Sequence, residues 1–542
     1  MRRRFHVFVI PLGLVLATSA TTRAAGPKPT VVAKQIDQLL AEELALSPSE
    51  LAPAVNDTTF LRRVYLDLLG TIPSPEEVRA YVADDLPRKR RRLVNELLKR
   101  PEYGVSQARY WRDVILSRRL EDRAIVVGPA LVEDLAQWIN DGEPWDAIAR
   151  RFITATGTAS ENGETAIFVA QDGRTEEIAA EVSRIFLGVQ IQCAQCHDHP
   201  WDEWKREQFH ELAAFFPRVG MRPIRDARPL DLMVNVADRP DRPRFRSGVN
   251  LNRRGRPEHY MQDLEKPGEV GERIEPKFFL TSLELPAGTR DADRRAELAN
   301  ELTQTDWFAT ALVNRYWSEL VGEGFSEPID DLGPGRESLA PGAADRLAGA
   351  FADSGYDLRW LHKTILATDA YQRESRPRRT PDEKPFTASV AQPLRGDQLL
   401  DSLLAALEVD ESRLRGLGGG RGGYGIATPR LGFNAAFGYD PSEPRSTIQA
   451  TIPQALARMN TPQLNLAVQA LPMTVVGRLQ REHGNDVEEI TSELYLRTLS
   501  REPTAEELAT VNDFADEATW SGAAMEDLMW ALLNSAEFAH RR

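Results

Sequence analysis

From residue 33 to residue 120 the apolar positions recur at helical spacing with short polar turns between the runs, a pattern that predicts successive amphipathic helices. The segment VAKQIDQLLAEEL is the first of them. In DTTFLRRVYLDLLGTIPSPEEVRAYVADD, Asp57 or Thr58 is placed to cap a helix that stops at Gly70, and a second helix starts after Ser74 with Pro75 at its first position. PRKRRRLVNELLKRPEYGVSQARYWRDVILSR adds two more, broken at Pro101, and its basic run Arg88 to Arg92 reads as a solvated helix face. The helical pattern continues through VEDLAQWINDGEPWDAIARRFITATG to Gly157 and resumes from Glu177 to Val189 within EEIAAEVSRIFLGV. KREQFHELAAFFPRV is helical again.

The pattern changes at residues 218–292, where Pro, Gly and Arg are frequent and short alternating pieces such as LMVNVA and KFFLTSLELP replace the helical period; this predicts a small β-rich or irregular insertion. Helical spacing returns from Arg294, crosses a charged Pro-rich connector at 376–386 and a Gly-rich loop at 416–425, and closes the chain from Ile452. The Gly-rich loop has no Lys-Ser/Thr after it and no strand before it, so it reads as a surface loop and not as a phosphate or dinucleotide cradle. One stretch is echoed. VYLDLLGTIPSPEEVRAYVADD (64–85), followed by LVNELLKRPEY, is similar to LYLRTLSREPTAEELATVNDFAD (494–516), followed by LMWALLNSAEF, and LHKTILATDAYQ (361–372) repeats the last part. Two full copies are too few for a solenoid and suggest a recurrent three-helix unit near both ends.

At 542 residues, 42% hydrophobic and 27% charged, the chain is long enough for more than one core. The fold expected is mainly α, a multi-helix two-domain architecture: a helical domain at 33–220, the insertion at 221–291 and a second helical domain at 292–542. A net charge of -14 argues against nucleic acid as a partner. Residues 1–25 open with Arg2, Arg3 and Arg4, continue through an apolar run and end in small residues, the order of a secretory signal, with an N-terminal anchor helix as the alternative; the expectation is export to the periplasm or the cell exterior, with no stable membrane span after cleavage.

Both cysteines of the chain and two of its eight histidines lie in IQCAQCHDHPWDEW, 191–204. Cys-x-x-Cys-His is the spacing of covalent haem attachment: Cys193 and Cys196 meet the two vinyl groups, and His197 is the proximal iron ligand. The cofactor expected is one covalent haem c. Zinc held by Cys193, Cys196 and His197 or His199 remains open, although no second cysteine pair completes a structural zinc site. A redox disulfide between Cys193 and Cys196, or a purely structural bridge, also remains open, although the flanks read as helices and not as a βαβ unit. His199 is too close to His197 to reach the opposite haem face, which leaves His210, Met221, Met233 and His259 as candidate sixth ligands. Asp198 and Asp202 are placed to cap the turn into the next helix, and Trp201 and Trp204 either wall a haem or fill core.

These residues resemble planctomycete-type cytochrome-like proteins in which a domain of unknown function 1549 precedes a domain of unknown function 1553. FLRRVYLDLLGTIPSPEEV and VSRIFLGVQIQCAQCHDHPWDEWKREQFHELAAFFPRV are similar to the first domain; DWFATALVNRYWSELVGEGFSEPIDDLGPG, SGYDLRWLHKTILATDAYQRES and EDLMWALLNSAEF are similar to the second. The resemblance implies an exported helical protein whose cytochrome-like motif is Cys193, Cys196 and His197, associated at the level of the family with extracellular polymer breakdown. The function expected is that of an exported c-type haem protein in electron transfer or an uncharacterised redox reaction with a redox partner protein; the alternative is a non-haem binding or scaffold protein with a zinc knuckle or redox disulfide at Cys193 and Cys196. The resemblance brings no established reaction and no catalytic residue. In the second half, Trp307, Arg315, Trp317, Tyr356 and Trp360 are expected to be structural, with Arg315 of NRYW also placed to hold a haem propionate or another acidic group.

Overall fold

The computed structural model describes residues 26–118, 121–225, 231–238, 257–266, 271–377, 383–411, 429–445, 462–484, 486–518 and 520–542, with 448, 451 and 454. The signal at 1–25, the Gly-rich loop at 416–425 and the helix start at Ile452 lie outside them. The fold is mainly α. Among the described residues, helices run from Pro29–Glu43 to Ala536–Ala539, and the strands form three small sheets. No helix among the described residues is long and apolar enough to cross a membrane.

Local signals set most boundaries. The Asp57–Leu69 helix ends at Gly70 with φ 73°, and Pro75–Val82 opens on a reciprocal pair in which Ser74 and Glu77 each bond the other's backbone N–H. The cap of the Asp57–Leu69 helix is one residue earlier than the sequence suggests. Asn56 accepts from the Thr59 N–H, because the Asp57 carboxylate is held by Lys89 and Arg90. Arg90 also lies over the Phe60 ring, so the basic run is only partly a solvated face. The helix expected to reach Gly157 ends at Thr154; Gly157–Thr158 is a short strand paired with Met233 and Val234. That strand joins Leu232–Val236 and Val219–Pro223 in an antiparallel sheet, while His259–Met261 pairs with Glu272–Ile274. The insertion therefore contributes strands, as its alternation suggests.

Among the described residues, two hydrophobic cores hold the helices. The first reaches from Val32 to Phe386 and joins both halves of the sequence; Trp111 donates to the Tyr316 hydroxyl at 3.0 Å within it. The second gathers Leu394 to Phe538. The echoed segments meet between them. Both are helix, left-handed turn, helix: Ser500 (φ 61°) stands where Gly70 does, and Thr504 with Glu507 repeats the pairing of Ser74 with Glu77. Leu66 and Leu496 hold the same place in the two copies, and each is buried in the core of the other copy, Leu66 in the second and Leu496 in the first.

Candidate functional site

The Thr175–Leu187 helix delivers the chain to the cysteine motif and ends at Gly188, with φ 65°. A Cβ there would lie 2.9 Å from the Leu332 side chain and 3.2 Å from Ala311, so the turn admits glycine alone. Residues Ile191–Gln195 then form a short 3-10 turn. Ile191 and Ala194 face inward and are fully buried, which leaves Cys193, Cys196 and His197 exposed. Both cysteines are free thiols. Cysteine is among the most often buried residue types, so packing does not account for two exposed on one turn.

The loop after the turn is tightly bonded. The His197 Nδ1 lies 2.7 Å from the Asp198 carbonyl; a carbonyl only accepts, so Nδ1 carries the proton and the lone pair of the neutral ring is on Nε2. The Asp198 carboxylate accepts from the Arg206 N–H at 3.0 Å and from the Lys205 ammonium at 3.1 Å, capping the Arg206–Ala213 helix. Those two bonds hold its acid below the usual carboxylate range. Asp202 does not cap that helix. Its carboxylate instead faces the loop of the second half, 3.3 Å from the Gly335 N–H, and leaves no room for a Cβ at Gly333. The backbone N–H of Leu332 donates to the Gly188 carbonyl at 2.7 Å, so residues 332–335 strap both flanks of the motif. Trp204 is buried against Phe279 and Trp307, whereas Trp201 is 77% exposed.

His210 and His259 come together behind the turn. Their rings stack with Nδ1 of His210 2.9 Å from Nε2 of His259, and the His210 Nε2 donates at 3.1 Å to the carbonyl of Gln195, between the two cysteines. With that proton fixed, Nδ1 of His210 accepts from His259. Burial pulls His210 down to about 4 and His259 down to about 3, so both are neutral near pH 7. Met221 and Met233 are elsewhere: both lie on the three-stranded sheet, Met221 against Gly173 and Met233 opposite Thr158 and Arg222. Among the described residues no three His, Cys, Asp or Glu side chains converge as a metal cluster.

Arg315 is buried and ion-paired with Asp330, which also accepts from Arg184 at 2.9 Å; Arg184 in turn pairs with Glu181. The guanidinium that NRYW offered for an acidic ligand is thus neutralised internally. Trp317 stacks on Phe325, Tyr356 donates to the Thr303 carbonyl, and Trp360 donates to Pro27. The strap, the Gln195 carbonyl and the His210 to His259 bond were not visible in the sequence, although DDLGPG, with two glycines around a proline, marks a turn where backbone comes close.

With this geometry in place, residues 35–220 match the family described as "Protein of unknown function (DUF1549)", PSCyt2, and residues 294–418 match "Protein of unknown function (DUF1553)", PSD1. The chain is a DUF1549–DUF1553 protein. In it the first domain carries the cysteine turn and the second supplies the strap. No curated protein and no solved structure matches the chain.

Proposed function

We propose that this DUF1549–DUF1553 protein is an exported c-type haem protein that transfers electrons, or carries out a redox reaction, with a partner protein. The observation that carries the reading is the exposed turn itself: Cys193 and Cys196, three residues apart, are unbonded thiols on the surface, and His197 beside them has its Nδ1 proton tied to a backbone carbonyl. An imidazole ligand held by a carbonyl through its other nitrogen has its ring orientation and tautomer set in advance. Cys193 and Cys196 would hold the haem as thioethers and His197 Nε2 would ligate its iron. The haem would supply one-electron redox chemistry whose potential depends on axial ligand, burial and nearby hydrogen bonds.

The protein's own residues would then have separate tasks. Asp198 and Lys205 fix the loop that bears His197, the residue 332–335 strap fixes its far side, and the His259 to His210 to Gln195 chain holds the carbonyl between the two cysteines. Trp201 offers an exposed aromatic surface next to the motif. The test is a pyridine haemochrome spectrum with haem staining of a denaturing gel, on protein exported from a host with cytochrome c maturation. Covalent haem is expected in the parent chain and none when Cys193 and Cys196 are both alanine.

A further inference from the structure

Ten large apolar side chains are exposed among the described residues, and three of them, Trp201, Leu264 and Leu339, lie on loops that border the cysteine turn. Exposed apolar side chains scattered singly need no explanation, but three carried from distant stretches of the chain to the border of one turn form a patch. Trp201, 77% exposed, is on the loop that directly follows His197. Leu264 belongs to a loop tied to the turn by Arg206, whose guanidinium donates to the Gln195 carbonyl at 3.3 Å and to the Gln262 carbonyl at 2.5 Å. Leu339 follows the strap, on the loop whose Gly335 N–H faces Asp202.

The exposure of Trp201 is built in. The His199 N–H donates to the Trp204 carbonyl at 2.8 Å and closes the loop, the Trp201 N–H donates to His199 Nδ1 at 3.4 Å, and Asp202 is tied to Gly335. Trp204 packs against Phe279 and Trp307, so one short loop buries one indole and holds the other outward. None of Trp201, Leu264 and Leu339 belongs to either hydrophobic core. What they share is the border of a turn on which two thiols and an imidazole are also exposed. Two thioethers and one axial ligand fix a porphyrin along one edge and at its iron; the rest of its flat apolar surface leaves water only where apolar side chains receive it.

We propose that Trp201, Leu264 and Leu339 are the apolar seat of the porphyrin held by Cys193 and Cys196. This rests on the haem reading above and adds the residues that cover the cofactor. The experiment is hydroxyl-radical footprinting, read by peptide mass spectrometry, on the parent chain exported with and without a cytochrome c maturation system, with haem staining of both samples. Trp530, 38% exposed on the Gly522–Asn534 helix, is the internal control. In the haem-loaded protein, oxidation of Trp201 is expected to fall at least tenfold and that of Leu264 and Leu339 at least threefold, with Trp530 unchanged. Haem-loaded Trp201→Ala is expected to keep its covalent haem at a lower midpoint potential, because water then reaches the ring and stabilises the more positive ferric iron. Equal oxidation of Trp201 with and without covalent haem, the result for a patch that docks a partner protein instead, would overturn the seat and leave the haem reading standing. An unchanged potential in Trp201→Ala would do the same. A parent chain without haem from the maturing host would overturn both.

Discussion

The cysteine turn and the Arg184, Asp330, Arg315 cluster lie at opposite ends of one short segment, and they treat their reactive groups in opposite ways. Asp330 is 2% exposed and is bonded to two arginines, while Cys193, Cys196 and His197 are exposed on a turn whose buried members are Ile191 and Ala194. Between them, Leu332 bonds Gly188, and Gly333 and Gly335 close on Asp202. Groups in the first region are used up by the fold. Those in the second are held in place by it and left available. The contrast separates what keeps the chain folded from what the chain presents, and it can be attacked from either side.

The largest effect is expected at the turn. Replacing Cys193 and Cys196 by alanine should remove all covalent haem, read by haem staining, while the urea midpoint of the haem-free protein moves little, since exposed positions rarely matter to stability. A large loss of stability in the haem-free variant would mean the thiols are structural. At the other end, Asp330→Ala leaves Arg184 and Arg315 buried without their shared carboxylate and is expected to cost about 3 to 5 kcal/mol in urea denaturation. Trp204→Ala, which empties the space against Phe279 and Trp307, should cost a similar amount, about 3 to 5 kcal/mol. Gly333→Ala, whose added methyl collides with the Asp202 carboxylate, is expected to cost about 1 to 3 kcal/mol. It should also loosen the Trp201 loop, which hydrogen exchange at residues 199–204 reports.

A further effect is a slope with pH. His210 and His259 have native values of about 4 and about 3, below the ordinary value of about 6.5 for histidine in an unfolded chain. Between those limits the unfolded chain binds protons that the native chain does not. Stability is therefore full above about pH 6.5 and falls as pH drops toward 4, by up to about 1.4 kcal/mol per pH unit for each imidazole. The double variant His210→Gln, His259→Gln should flatten that part of the stability curve, measured by urea midpoints from pH 7 to pH 4. An unchanged slope would mean the pair is not buried in its neutral form.

What the sequence made legible was local. Gly70, the Ser74 and Glu77 pair, the helix leading to Gly188 and the Asp198 cap are each written within a few residues, because capping bonds span one turn. The haem spacing is just as local. Asp202 was misread as a second cap because its partner, Gly335, is 133 residues away. His210 and His259 appeared only as separate candidates: the 49 residues between them carry no periodic signal that two rings will stack. Nor does helical periodicity distinguish an arginine on a wet face from Arg62, Arg184 or Arg315, whose burial comes from elements far along the chain. The echoed segments were visible as text, but that each would bury a leucine in the other's core depends on how the two pack.

Whether the exposed turn carries covalent haem is read from the pyridine haemochrome spectrum of the purified protein after export through a cytochrome c maturation system. A c-type α-band is expected, with haem retained on a denaturing gel and lost in the Cys193→Ala, Cys196→Ala double variant. A folded, colourless parent from a host that matures a control cytochrome c would contradict it and turn the question to thiol titration and zinc content.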